Sequence, residues 1–328
     1  MLCIRRTAIH AVLAGLTCIV LPGALAQAPL GYPNRPIRIV VPYSPGGPVD
    51  VTARILAEPL SRHLGKPLVV DNKPGGNATI GTEMVARAAP DGYTLLMAAP
   101  AHTSNPSLIK SLSFNTARDF APVSGVMDQP LLIAVHASME VNTLPELIAK
   151  LRANPDKFNY GTSGAGGPQH LMGEMFKSAT GTRITHIPYK GAAPASVALL
   201  AGETQVAFST PTNILPHAKT GKLKMLAVST SRRSPFTPEL PTLAELGMAG
   251  FDYSSWTGLL APAGTPPDVI QKIYRAVTAS LAEKVVHDKM LSNGIQPLGT
   301  SPEDFGSFLT LDLSRSAKII SDSGVEAE

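Results

Sequence analysis

The apolar positions near the start of the chain alternate between two spacings. Ile37-Arg38-Ile39-Val40-Val41 is short, β-branched and closed by Pro42, the pattern of a strand buried on both faces. Ala53, Leu56, Ala57, Leu60 and Leu64 then recur every three or four residues, which places them on one face of a helix ending at Gly65. Pro59 lies inside that helix and is expected to kink or shorten it, because an interior proline costs about 3 kcal/mol. A strand at Leu68 to Val70, a glycine loop at Pro74-Gly75-Gly76, a helix near Ala78 to Ala88 and a strand at Tyr93 to Met97 continue the alternation. Strand and helix in turn predict an α/β sheet.

A second set of the same kind follows. Thr143 and Glu146 form a capping box ahead of a helix from Leu144 to Ala153, a strand follows at Asn159-Tyr160, and another helix begins at Pro168. Short strands at Thr185 to Ile187, Val206 to Phe208 and Lys224 to Val228 fill out a second sheet. Two extended stretches, Pro122 to Val135 and Tyr253 to Leu260, are long enough to pass between two lobes and form the expected hinge. Beyond Ala261 the chain is helical, with Ile270, Ile273, Val277 and Leu281 on one face. Ser301 and Asp304 open a last helix that carries Phe305, Phe308 and Leu309. These helices are expected on the first lobe, which makes residues 27–126 plus 254–328 one discontinuous lobe and residues 127–253 the other. No internal repeat stands out.

The first 26 residues change this picture. Arg5 and Arg6, an apolar run from Ala11 to Leu21 and the small residues Ala24-Leu25-Ala26 have the layout of a secretory signal peptide cleaved near Ala26. A spanning helix needs about 20 apolar residues, and Pro22-Gly23 ends this run too early. Cleavage leaves 302 residues, enough for two lobes, and lowers the formal charge from +4 to +2. That balance gives no reason to expect nucleic acid. Both cysteines, Cys3 and Cys18, lie in the leader, so the mature chain has no thiol for a disulfide, metal site or nucleophile.

Three loops carry the candidate chemistry. Tyr43-Ser44-Pro45-Gly46-Gly47-Pro48 follows the first strand, Lys73-Pro74-Gly75-Gly76-Asn77 the second, and Gly161-Thr162-Ser163-Gly164-Ala165-Gly166-Gly167 the strand at Asn159-Tyr160. In open α/β sheets ligands sit beyond the carboxyl ends of strands, and each loop leads into a helix whose positive N-terminal end favours an anion. Lys73 and Lys190 are the nearest cations, so a bound carboxylate would rely on backbone amides and the hydroxyls of Ser44, Thr162 and Ser163. Taken singly, each glycine loop is equally well explained as a tight turn.

Taken together, the residues resemble a known family. Tyr32-Pro33-Asn34-Arg35-Pro36-Ile37, Val41-Pro42-Tyr43-Ser44-Pro45-Gly46-Gly47 with Asp50 and Arg54, Asp71-Asn72-Lys73-Pro74-Gly75 and Pro90-Asp91-Gly92-Tyr93-Thr94-Leu95 are similar to the Bug receptors. These are the extracytoplasmic solute receptors of tripartite tricarboxylate transporters. Tyr160-Gly161-Thr162-Ser163-Gly164, His186-Ile187-Pro188-Tyr189-Lys190-Gly191 and Ala261-Pro262-Ala263-Gly264-Thr265-Pro266 extend the likeness in order over nearly the whole mature chain. The resemblance implies a monomeric periplasmic binding protein with a two-lobed, type II-like Venus-flytrap fold and a two-strand hinge. It would use no cofactor and no metal, and would deliver its ligand to the membrane subunits of such a transporter. The binders it implies are Tyr43 to Val49 and Gly161 to Gly166, with Gly76, Asn77, Ala78, Tyr189 and Ser209 completing the candidate set.

This chain departs from the family pattern at two loops. Gly76-Asn77-Ala78 stands where Ala-Gly-Gly is frequent, and Ser209 follows Val206-Ala207-Phe208 where an acidic residue is frequent. A serine offers a ligand ammonium no charge, so the expected ligand lacks one; alternatively, Ser209 lies outside the pocket and caps the next helix.

Other readings compete. Ser107-Leu108-Ile109-Lys110, Ser113-Phe114-Asn115 and Lys219-Thr220-Gly221 match the three elements of penicillin-recognising serine enzymes, but the first two lie too close together and the third belongs to a helix end. Gly161-Thr162-Ser163-Gly164-Ala165 lacks the last glycine of a nucleophile elbow. His170 and Glu174 read as a surface pair rather than metal ligands, Asp50 and Arg54 as a structural ion pair, and Trp256 as core rather than ligand cover. A ligand sensor for a signalling partner remains the alternative to transport.

Overall fold

The computed structural model describes residues 31–248 and 251–323; the expected leader lies outside the described residues. The first lobe begins with β1 (Ile37–Val41), α1 (Pro48–Leu64), β2 (Leu68–Asn72), α2 (Thr79–Ala86), β3 (Thr94–Ala98), α3 (Ala101–Leu108) and β4 (Phe120–Pro130). The chain then crosses into β5 (Leu132–His136), α4 (Leu144–Ala153), β6 (Asn159–Thr162), α5 (Pro168–Thr180), β7 (Thr185–Pro188), α6 (Ala192–Ala201), β8 (Val206–Ser209), α7 (Pro211–Ile214) and β9 (Leu223–Val228). It returns through β10 (Ser254–Pro262) to α8 (Pro267–Ala282), α9 (Lys284–Ser292), β11 (Gln296–Pro297) and α10 (Pro302–Ser323).

The two sheets follow one plan. One runs β11-β4-β10-β3-β1-β2 and the other β7-β6-β8-β5-β9. In each, three parallel strands joined by helices are extended by one antiparallel strand, β10 or β5, that has just crossed from the other lobe. Period-two alternation buries both faces. Ile37, Ile39 and Val41 of β1 pack under α1 and α8, while Val40 points the other way toward Val85, Trp256 and Phe305. Leu131, Ile133 and Val135 face Leu147 and Phe176, while Leu132 and Ala134 face Leu199 and Ile214.

Helix α1 runs through Pro59 for 17 residues without ending there, and stops at Gly65 in the left-handed conformation, as its sequence predicts. The interior proline is buried, and burial of this helix face offsets its local cost. Helices α8 and α9 pack on α1. Helix α10 does more than return to the first lobe: Phe305 packs against Trp256, yet Ile319 and Ile320 join the core of the second lobe.

The crossing strands are tied to one another at Ser229, which is fully buried. Its N–H donates to the Leu131 carbonyl at 2.9 Å and its carbonyl accepts from Tyr253 N–H at 3.0 Å. Its hydroxyl accepts from Leu131 N–H at 2.8 Å and donates to the Tyr253 carbonyl at 2.5 Å. One residue thus satisfies backbone groups on both hinge strands, where the change of sheet would otherwise leave them unpaired.

Candidate functional site

The first-strand loop and the glycine loop of the second lobe lead into helices built alike. Gly47 caps α1 ahead of Pro48, and Gly167 caps α5 ahead of Pro168. Proline suits the first helical turn because its missing N–H would have had no helical partner. The two loops meet. Ser44 Oγ donates to the Lys190 carbonyl at 2.6 Å, and Ser104 Oγ donates across the lobe boundary to the Gly166 carbonyl at 2.7 Å. Gly47 comes so close to α6 that a methyl group on it would lie 3.9 Å from Ala192 Cβ.

Between them lies a narrow cleft, whose free space together with its solvent-open mouth is about 350 Å³. Tyr43, Gly47, Pro48, Val49 and Ala99 line it from the first lobe, Ser255 from a hinge strand, and Ser163, Pro168, Gln169 and Ala192 from the second lobe. A further chamber of about 260 Å³ continues past Gln169 and Ala192 to Gly161, Thr204 and Ser209. Among the described residues, no charged side chain lines either space. An anion there would be met by helix N-termini, hydroxyls and the Gln169 amide. Ser163 Oγ donates to Gln169 Oε1 at 2.6 Å, which leaves the amide NH₂ as the donor available to a ligand.

This geometry coincides with the comparisons of the chain with known proteins. Residues 52–325 match the family described as tripartite tricarboxylate transporter family receptor. The chain belongs to that receptor family. Protein BugT of Bordetella pertussis is 36% identical over 300 residues, covering 90% of this chain and 91% of BugT. The solved structure of periplasmic binding protein BugD is 36% identical with a TM-score of 0.87, covering 90% of this chain and all of that one. The R. palustris protein Rpa4515, solved with adipate, is 33% identical with a TM-score of 0.87 over the same shares. The fold is therefore that of the periplasmic binding proteins, and the chain is a receptor rather than an enzyme. In keeping with this, Lys219 and Thr220 end a 3₁₀ turn at Leu215–Thr220 and Gly221 is left-handed, so the segment lies just before β9 and not on a strand, where a serine enzyme would need it.

In this receptor the residues singled out from sequence fall into three groups. Tyr43, Gly47, Pro48, Val49 and Ser163 line the main cleft, and Gly161 and Ser209 line the inner chamber. Ser209 does not cap the next helix; that position is Thr210. A second group supports the walls. Ser44 bridges the lobes, Gly46 N–H donates to Asp50 Oδ2 at 2.9 Å, and Thr162 Oγ1 accepts from Gly164 N–H at 3.2 Å. Gly166 is held by Ser104, and the Tyr189 ring lies over Gly161. Ala165 sits half-buried in the same loop.

The third group lies outside both linings. Pro45 is exposed, and Gly76, Asn77 and Ala78 form a neighbouring turn. Asn77 and Ala78 both have positive φ, 52° and 70°, at positions where glycine would be unstrained. Asn77 Nδ2 donates to Asn105 Oδ1 at 2.6 Å, and its Oδ1 abuts Gly164, so this turn buttresses the glycine loop. Sequence reasoning missed Gln169, Ala192, Ala99 and Ser255. Gln169 and Ala192 follow Gly-Pro and Gly at helix starts, a signal that was present; Ala99 and Ser255 reach the cleft only through tertiary packing.

One expectation is overturned. His170 and Glu174 are not a surface pair: both are more than nine-tenths buried. His186 stacks on His170 with centroids 3.9 Å apart, Lys177 donates to both oxygens of Glu174 at 2.8 Å, and Tyr160 OH donates to its Oε1 at 2.6 Å. Those partners are what let the carboxylate be buried. His170 Nδ1 accepts the Gly166 N–H at 2.9 Å, and His186 Nε2 lies 2.6 Å from Thr162 Oγ1, so the pair underpins the glycine loop. The Asp50–Arg54 pair is structural as expected, at 2.9 Å. Burial opposes the Asp50 charge, but Arg54, Gly46 N–H and Asn72 outweigh it and hold the carboxyl below its usual range.

The buried histidines set a pH dependence. Burial lowers His186 to about 3, with His170 and Lys177 adding to the effect; burial also lowers His170, and lowers His102 of α3 to about 4. In the unfolded chain these groups titrate near 6.5. Below that pH the unfolded chain binds more protons than the native one, so stability present above about pH 6.5 is lost as the pH falls toward 4. Asp128 and Asp312, raised by burial, work in the opposite sense and soften the lower end. Urea midpoints measured from pH 7.5 to 4.5 should fall steadily; a flat profile would contradict this account.

Proposed function

We propose that this receptor is exported to the periplasm and closes, as a monomer, around an aliphatic dicarboxylate without an ammonium group. It then delivers that ligand to the membrane subunits of a tripartite tricarboxylate transporter. The observation that carries the reading is the pair of Gly-Pro helix starts, one from each lobe, facing a single cleft without charged side chains. Backbone donors suffice for an anion. A hydrogen bond to a charged group contributes about 1.5 to 3 kcal/mol, and micromolar affinity corresponds to about 8 kcal/mol. The adipate in the related R. palustris protein supports a dicarboxylate. Residues 27–126 with 254–328 form one moving body and residues 127–253 the other, turning about the strands joined at Ser229. Closure is driven by contacts that the ligand makes only when both lobes reach it.

Calorimetric titration of adipate, succinate, citrate and glutamate tests the ligand class. A plain dicarboxylate is expected to bind at micromolar concentration or tighter, with a smaller radius of gyration by small-angle scattering at saturation. Tight binding of glutamate alone, or saturation without any change of radius, would reject the proposal.

A further inference from the structure

The serines around the cleft are nearly all committed. Ser163 Oγ donates to Gln169 Oε1, Ser196 Oγ donates to the Ala192 carbonyl at 3.0 Å, and Ser44 and Ser104 bridge the lobes. Ser255 is the exception in the main cleft. It is 4% exposed and lines the space, yet its hydroxyl has no hydrogen-bond partner among the described residues. Thr257 Oγ1, two residues along the same strand, is unpartnered as well but has almost no accessible surface, whereas Ser255 opens on the cleft. Ser209, the other free serine, faces the further chamber. Antiparallel β10 starts at the edge of the sheet where β3 and β1 end, so Ser255, Ala99 and Tyr43 form one floor in the strand order β10-β3-β1. Two strand spacings, about 10 Å, separate β10 from β1, and the helix start at Gly47-Pro48 follows β1. Ser255 thus stands away from that positive helix end.

We propose that Ser255 sets the preference of this receptor among diacids, its hydroxyl pairing with a hydroxyl on the carbon chain of the ligand, so that a hydroxy-dicarboxylate is preferred over a plain one. The assignment rests on the reading of the cleft as a dicarboxylate site and narrows it. A carboxylate set against Ser255 would exchange its hydration for one serine hydroxyl, with the Ala99 methyl next along the floor. A ligand hydroxyl asks for less. It needs a single partner, and serine can meet it as donor or as acceptor. The helix starts then hold the carboxylates, and Ser255 reads the chain between them. One fixed hydroxyl in the wall also meets the substituent of one enantiomer only, once both carboxylates are seated.

Succinate, D-malate and L-malate share one skeleton and differ in a single hydroxyl, so calorimetric titration of the full chain with the three tests the assignment. One malate enantiomer should bind about five- to tenfold tighter than succinate, the gain of one added hydrogen bond, and the other enantiomer no tighter. Ser255→Ala should weaken the preferred enantiomer about five- to tenfold and erase its lead over succinate. Thermal unfolding reports whether the variant is folded, and the comparison within the wild type needs no variant. Succinate binding as tightly as both malates would overturn the assignment and leave the dicarboxylate reading standing. So would an equal loss for all three ligands in Ser255→Ala, or a preference that survives the substitution. If all three fail to bind while adipate binds, the assignment again falls alone; if adipate and citrate fail too, both readings fall together.

Discussion

Replacing Gly166 by valine should weaken ligand binding by about 10- to 100-fold, the size expected when overpacking that displaces the glycine loop costs about 1 to 3 kcal/mol. Gly166 has φ +66°, a region that β-branched residues avoid. A methyl group there would collide with Leu108 Cδ1 and approach Ser104 Oγ to 2.8 Å. Both neighbours belong to α3, which follows the first sheet, while Gly166 belongs to the loop of the second lobe. The collision falls where α3 meets the glycine loop, at a Leu108 that packs in the core of the second lobe, and the positive φ adds strain within the loop itself. Calorimetry should show the weaker affinity and small-angle scattering a larger radius at saturating ligand, with thermal unfolding reporting whether the lobes remain folded. Binding and radius equal to wild type would show that the Gly166–Leu108 contact has no part in closure.

Ser229→Ala should lower the melting temperature by about 5 to 10 °C. The substitution removes a hydroxyl that serves Leu131 N–H and the Tyr253 carbonyl. Both residues are buried, so each orphaned backbone group costs about 1 to 3 kcal/mol. For a chain of this size each kcal/mol corresponds to roughly 2 to 4 °C. Hydrogen exchange should localise the effect, with the Leu131 amide losing protection while amides in β1 and β6 keep theirs. An unchanged melting temperature would mean that water replaces the hydroxyl without loss.

The alternation of strand and helix was legible because both sheets are buried on two faces, so β-branched runs such as residues 37–41 and helix faces such as that ending at Leu64 stand out against glycine loops. The crossing was legible in part: the extended stretch from Pro122 to Val135 is too long for one strand and splits into β4 of one sheet and β5 of the other, whereas β10 stays within the first sheet. What the pattern hid was the end of α10. Ile319 and Ile320 have the same helical spacing whether they cover one lobe or two, and only packing decides. The polar cluster around Glu174 was hidden as well, since His170 and Glu174 four residues apart look alike on a surface or in a core. The partner that settles it, His186, comes from a strand edge whose proximity no spacing encodes. At the site, the glycine loops announced themselves, whereas Ala99 and Ser255 carry no chemical signature and matter only for where they stand.

A cleft lined, among the described residues, by no acid, lysine, arginine or histidine, and by one tyrosine that burial keeps protonated, has a consequence for where such a receptor can operate. Peptide dipoles do not titrate, so at any pH where the fold is intact the grip on an ionised carboxylate should hold nearly constant, until the guest itself takes up protons. Outside the cytoplasm, where a cell buffers little of what surrounds it, a trap made of main chain keeps its calibration when one made of lysines and histidines would drift.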